Sequence, residues 1–68
     1  MMRIKINGEE KFFERKEIIL SNLLSDLNID QQYNVIAVNY ECIKKTQYDK
    51  TEIKDGDEIE ILSPMQGG

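Results

Sequence analysis

Asp55-Gly56-Asp57-Glu58-Ile59-Glu60-Ile61-Leu62 sets strict acidic and apolar alternation behind an Asp-Gly-Asp turn, the pattern of a strand with one face in a core and one in solvent. Ile59 and Ile61 point one way. Glu58 and Glu60 point the other, as a solvated face that a basic partner could meet. After Leu62 the alternation stops at Ser63-Pro64-Met65-Gln66-Gly67-Gly68, and Pro64 cannot donate to a central ladder. Residues 1–62 therefore read as a domain and 63–68 as a tail leaving the sheet. Fully extended at about 3.3–3.6 Å per residue, the tail reaches roughly 20 Å. Gly67 and Gly68 can thread a narrow slot, with Met65 and Gln66 following them into a partner's site. Having few apolar groups to hold them down, the residues after Pro64 are expected to be mobile in the free protein.

Working back, Val35-Ile36-Ala37-Val38-Asn39-Tyr40 is the most strand-like run, and Cys42-Ile43-Lys44 can pair with it. Ser21 is placed to cap a short helix through about Leu27, with Leu23, Leu24 and Leu27 at helical spacing as core. Met2 to Ile6 alternates, Asn7-Gly8 signals a turn, and Lys11 to Arg15 returns as a second strand. A two-residue Asn7-Gly8 loop sets Ile4 opposite Lys11. A Gly8-Glu9 turn or a four-residue loop sets Ile4 opposite Phe13 and Arg3 opposite Glu14, and this register is preferred. It leaves Ile4, Ile6 and Phe13 on one face and Phe12 with Arg3 and Lys5 on the other. Thr46 to Ile53 reads as an irregular crossing segment and Asn28 to Asn34 as a polar connection. The class is α+β, a mixed sheet with one principal covering helix, in which Ile4, Ile6, Leu23, Leu27, Ile59 and Ile61 are expected to be buried.

Composition narrows the function. The 68 residues allow one domain, since a chain this short buries only about 60% of its unfolded surface. There is no histidine and one cysteine, so side chains assemble neither a zinc site nor a His-based dyad. A formal charge of −4 repels phosphate backbones and argues against nucleic acid. No apolar run reaches the roughly 18 residues that would span a bilayer, and no leader is visible, which makes the cytoplasm the expected compartment. Cys42, between Glu41 and Ile43, reads as a small packing residue rather than a sulfur carrier. Asp55-Gly56-Asp57 falls short of a calcium loop and reads as a turn. Phe12 and Tyr40 can lie on the uncovered sheet face and form an apolar patch for partners.

A bare Gly-Gly is nonspecific, because chain ends commonly fray. It gains meaning with Asn7-Gly8-Glu9, the helix around Leu23-Leu24, Val35-Ile36-Ala37-Val38-Asn39 and Asp55-Gly56-Asp57-Glu58-Ile59-Glu60-Ile61 ahead of it. Together these resemble the sulfur-carrier proteins of thiamine biosynthesis across essentially the whole chain. The chain departs from them at Lys44-Lys45, where relatives usually carry Pro-Arg, and at Tyr48, where they often have tryptophan.

The resemblance implies a ubiquitin-like β-grasp in which the Met2 to Ile6 strand lies beside the last one. It also implies a cycle in which a ubiquitin-activating-like adenylating enzyme joins the Gly68 carboxylate to AMP. Sulfur from a cysteine-derived persulfide replaces AMP, and a thiazole synthase receives it from the resulting thiocarboxylate. The chain is then a co-substrate rather than an enzyme, with Gly68 as its reactive group and Phe12, Tyr40, Glu58 and Glu60 as a candidate partner surface. It binds no cofactor itself. No Gly-rich phosphate loop precedes a helix, so ATP and magnesium belong to the adenylating partner. Two alternatives remain: a carrier serving molybdopterin or another sulfur metabolite, and a noncatalytic ubiquitin-like binding module, which needs no free Gly-Gly.

Overall fold

The computed structural model describes residues 1–63. In chain order the elements are β1 (Met2–Ile6), β2 (Glu9–Phe13), β3 (Glu17–Ile19), α1 (Leu20–Asp26), β4 (Val35–Val38), β5 (Glu41–Cys42), a 3-10 turn (Lys45–Gln47), β6 (Glu52–Lys54) and β7 (Glu58–Leu62). Five strands form one sheet in the order β2-β1-β7-β4-β5, with β1 and β7 parallel at its centre and the other pairs antiparallel. A separate pair, β3 and β6, lies antiparallel with Ile18 opposite Ile53.

Alternation builds the core. Met2, Ile4 and Ile6 of β1 are buried while Arg3 and Lys5 between them are exposed. Ile59, Ile36 and the helix residues Leu20, Leu23 and Leu24 complete the same interior, closed at its rim by Ile18, Ile53 and Tyr48. Leu27 and Ile61, expected to be fully buried, are only partly so and pack against the cluster from its margin. Leu27 sits at the C-cap, where the helix has already ended.

Several local expectations are corrected. The β1–β2 hairpin pairs Ile4 with Lys11, Arg3 with Phe12 and Met2 with Phe13, not Ile4 with Phe13 and Arg3 with Glu14. Asn7 and Gly8 both take positive φ, 51° and 85°, so the two-residue primed turn closes directly from Ile6 to Glu9. The strand accordingly runs from Glu9 to Phe13 rather than from Lys11 to Arg15. The assignment of faces is unaffected, because positions 11 and 13 have the same parity.

Ser21 does not cap the helix. The N-cap position is Ile19, without a side-chain bond, and the early N–H groups of Leu20 and Ser21 donate to the carbonyls of Thr51 at 2.7 Å and Tyr48 at 3.0 Å. Backbone from the 48–51 segment thus does the work of a cap. At the other end Asn28, at φ 59°, closes a Schellman motif: its N–H donates to Ser25 and that of Ile29 to Leu24.

The segment from Thr46 to Ile53 is not wholly irregular, since it contributes the start of β6 and the buried Tyr48. The strand beginning at Val35 ends at Val38, because Asn39 and Tyr40 form a second turn at positive φ. Its partner strand is Glu41–Cys42 rather than Cys42 to Lys44. Cys42 is exposed, not packed. It stands opposite Ala37 on an edge strand, on the face away from the helix.

Candidate functional site: the outer sheet face and the root of the tail

The helix covers one face of the five-stranded sheet, and β7 runs through its middle toward Ser63. On the open face, residues fall into rows set by the register. At one edge Phe12 lies opposite Arg3, whose guanidinium stands 6.0 Å from the ring centroid. Arg3 also forms a 4.0 Å ion pair with Glu10, both side chains well exposed. Lys5 neighbours Glu58 across the parallel ladder. Farther along, Glu60 lies opposite Ala37, and Val35 lies opposite Leu62. Val35 and Leu62 are exposed apolar side chains at the point where the chain leaves the sheet.

Of the residues singled out from the sequence, Tyr40 and Glu58 are brought together. The Tyr40 hydroxyl donates to Glu58 Oε1 at 2.9 Å, and this bond, with the Glu58 charge beside it, holds the phenol above the ordinary tyrosine range. Glu60 is exposed farther along the same strand, adding a smaller push in the same direction. Phe12 and Tyr40 are both exposed but do not form one apolar patch. They lie toward opposite edges of the sheet, separated by Arg3, Lys5, Glu58 and Glu60. Met65, Gln66, Gly67 and Gly68, together with the expectation of a mobile tail, lie outside the described residues.

The turn carboxylates are occupied by the fold. Asp55 accepts from the Arg3 N–H at 2.8 Å, and Asp57 accepts from the Lys54 N–H at 2.8 Å and the Asn39 amide at 3.1 Å. No group of three or more metal-ligating side chains occurs among the described residues. A shallow groove bounded by Arg3, Lys5, Glu10, Asp57 and Glu58 encloses about 90 Å³. That is well below the roughly 300 Å³ at which small-molecule sites begin, and too small for a nucleotide. No helix among the described residues is long and apolar enough to cross a membrane.

Sequence reasoning did not find the residues that grip the end of β7. Asn7 Oδ1 accepts from the Ile61 N–H at 2.8 Å, and Asn34 Oδ1 accepts from the Ser63 hydroxyl at 2.7 Å. The Asn7-Gly8 turn signal was the available clue to the first. Asn34 carries no sequence signal beyond its place just before a strand.

Comparison with known proteins agrees with this architecture. The model of the ThiS family matches residues 2–68. A crystal structure of a thiamine biosynthesis protein from Geobacter metallireducens superposes with a TM-score of 0.89 at 32% identity, covering 98% of this chain and all of that one. A solution structure of a thiamine biosynthesis protein from the same organism gives 0.80 at 30% identity, over 98% of this chain and 88% of that one. A thiazole synthase of Paramagnetospirillum magneticum is 33% identical over 67 residues, which are 98% of this chain and 20% of that protein. This chain thus spans one-fifth of the length of that curated relative. Built as a ubiquitin-like β-grasp and matched almost end to end, the chain belongs to the ThiS family.

Proposed function

We propose that this chain is a sulfur carrier for thiazole formation in thiamine biosynthesis, with the Gly68 carboxylate as its reactive group. The observation that carries the reading is the extent of the family match, which runs through Gly67-Gly68 and not merely over the sheet. A carboxylate resists attack until one oxygen becomes a leaving group. ATP supplies it by forming the acyl adenylate and releasing pyrophosphate. The terminal sulfur of a cysteine-derived persulfide then adds to the carbonyl carbon and expels AMP, leaving an acyl disulfide. A thiol cleaves this to the thiocarboxylate and is itself oxidised to a disulfide.

The outer face is suited to docking, while ATP and magnesium fall to the adenylating partner. Phe12, Tyr40, Glu58 and Glu60 are its candidate contacts, and Met65 to Gly68 thread the partner's site. The likeness to part of a thiazole synthase supports that enzyme class as the acceptor, since a segment like this one is there joined to the named activity in a single polypeptide. Such joining delivers sulfur at high effective concentration.

The test uses the cognate adenylating enzyme, ATP, magnesium and a persulfide donor. The intact mass is expected to rise by the difference between one sulfur and one oxygen, with fragmentation placing the change on Gly68. One residue added after Gly68 abolishes loading, and Cys42→Ser leaves it intact. Equal loading of the extended chain, or none of the native chain, defeats the carrier reading in favour of a noncatalytic binding module.

A further inference from the structure

We propose that Asn7 and Asn34 are positioning residues that clamp the root of the tail, fixing where and in which direction the chain leaves the domain; the inference rests on the carrier reading of Gly68. β1 and β7 pair at Lys5 with Glu58 and Ile6 with Ile59, and β1 then turns away. The Asn7 N–H still donates to the Ile59 carbonyl at 2.9 Å. Beyond that, the flank of β7 at Ile61 has lost its partner strand. The Asn7 side chain takes its place: Oδ1 accepts from the Ile61 N–H at 2.8 Å, and Nδ2 donates to the Ile61 carbonyl at 3.4 Å. A side-chain amide here stands in for the peptide group of the missing strand.

The opposite flank is held differently. Pairing of β4 with β7 ends at Val35 with Leu62, and the residue before Val35 is the buried Asn34. Its Nδ2 donates to the Asp30 carbonyl at 2.8 Å, and its own carbonyl accepts from Lys45 Nζ at 3.0 Å. So anchored, its Oδ1 receives the Ser63 hydroxyl at 2.7 Å. The bond from Asn7 spans 54 residues of sequence and that from Asn34 spans 29, so each ties the end of the chain to a distant, well-fixed part of the fold.

Such anchoring matters because the reacting carboxylate sits only a few residues beyond Ser63. The reach of the tail is measured from its root, so a root that slips changes how far Gly68 can enter the partner's slot, where a displacement of about 1 Å can cost a hundredfold in rate. The clamp leaves the docking face untouched. It acts on delivery, not on binding.

The experiment pairs Asn7→Gly, which keeps the positive φ of the turn, with Ser63→Ala, which removes only a hydroxyl. In the intact chain, Asn7→Gly accelerates amide exchange at Ile61 by about tenfold or more while Ile59 stays protected. With the adenylating enzyme, the double variant loses about tenfold in kcat with KM within about twofold of native, whereas Ser63→Thr, which keeps the hydroxyl, matches native. Unchanged kcat in the double variant, or a loss confined to KM, overturns the proposal. If the native chain is never adenylated, the carrier reading fails by itself. The clamp is then decided by Ile61 exchange, which upholds it when accelerated in Asn7→Gly and overturns it when unchanged.

Discussion

Two hairpin turns flank β7, and they share a backbone but not a purpose. In each, the first turn residue is an asparagine at φ 51°. Each bonds β7 through both its backbone and its side chain. Asn7 holds Ile59 and Ile61, while the Asn39 N–H donates to the Glu58 carbonyl at 2.7 Å and its Oδ1 accepts from the Glu58 N–H at 3.0 Å. The last strand is thus pinned near both ends by one device used twice. The difference lies in the second residue. Gly8 takes φ 85° at no steric cost, whereas Tyr40 takes φ 69°, a region that bulky residues avoid. Tyr40 is also 79% exposed, so packing does not repay the conformation. The first turn directs its side chain inward on the strand, through the Asn7 grip on Ile61, at no conformational cost. The second carries an aromatic side chain outward at a conformational cost, which supports the proposal that Tyr40 is a partner contact.

The largest effect comes from making the first turn resemble the second. No heavy atom lies within 4 Å of a Cβ built on Gly8, so a side chain there meets strain rather than collision. Gly8→Val is expected to cost about 1–3 kcal/mol in urea unfolding, because a β-branched residue is forced to positive φ. Gly8→Asn costs distinctly less, as asparagine tolerates that region. Equal losses for both variants would show that the site is limited by space.

A smaller effect separates fold from function at the second turn. Tyr40→Gly restores the Asn-Gly pair that primed turns prefer, and its thermal midpoint should equal or exceed that of the native chain. Affinity for the adenylating partner should fall in the same variant, as titration calorimetry would record. A stabilised protein with native affinity removes Tyr40 from the partner surface, and a destabilised one removes the strain argument.

The two turns also show where the sequence was legible. Glu58 to Leu62 and Met2 to Ile6 were readable because strict alternation assigns their faces whatever the partner strand. Register was not, since moving Ile4 from Lys11 to Phe13 preserves parity; only the chemistry of Asn7-Gly8 distinguished the two. β3 and β6 each bury a single isoleucine, Ile18 or Ile53, too little for a period to show. The helix start was misread at Ser21 because its acceptors lie near residue 50, where no local rule looks. The chemistry proposed for Gly67-Gly68 rests on a terminal pattern within a resemblance, and those residues lie outside the described structure. The grip on its root joins residues far apart in the chain, which only the fold brings together.

The smallest effect concerns the bond that ties Tyr40 to the strand it flanks. Its hydroxyl donates to Glu58, so ionising the phenol would break that bond and set a second negative charge beside Glu58, with Glu60 adding to the repulsion. The folded-state pKa is therefore raised above the unfolded one. By linkage, the contribution of this contact to stability is complete below the ordinary tyrosine pKa, near about 10, and is lost as pH rises through the raised folded value. Neutral pH does not sense it. Glu58→Ala removes both the acceptor and the nearest charge, so Tyr40 should titrate lower in that variant when its ring resonances are followed by NMR. Glu58→Gln keeps an oxygen acceptor without the charge and should fall between the two. An unchanged Tyr40 titration in Glu58→Ala would mean that the hydroxyl does not rest on Glu58 in solution. The second turn would then hold its aromatic by backbone alone, leaving the ring free to reorient toward a partner, while the first turn keeps its side-chain grip on Ile61.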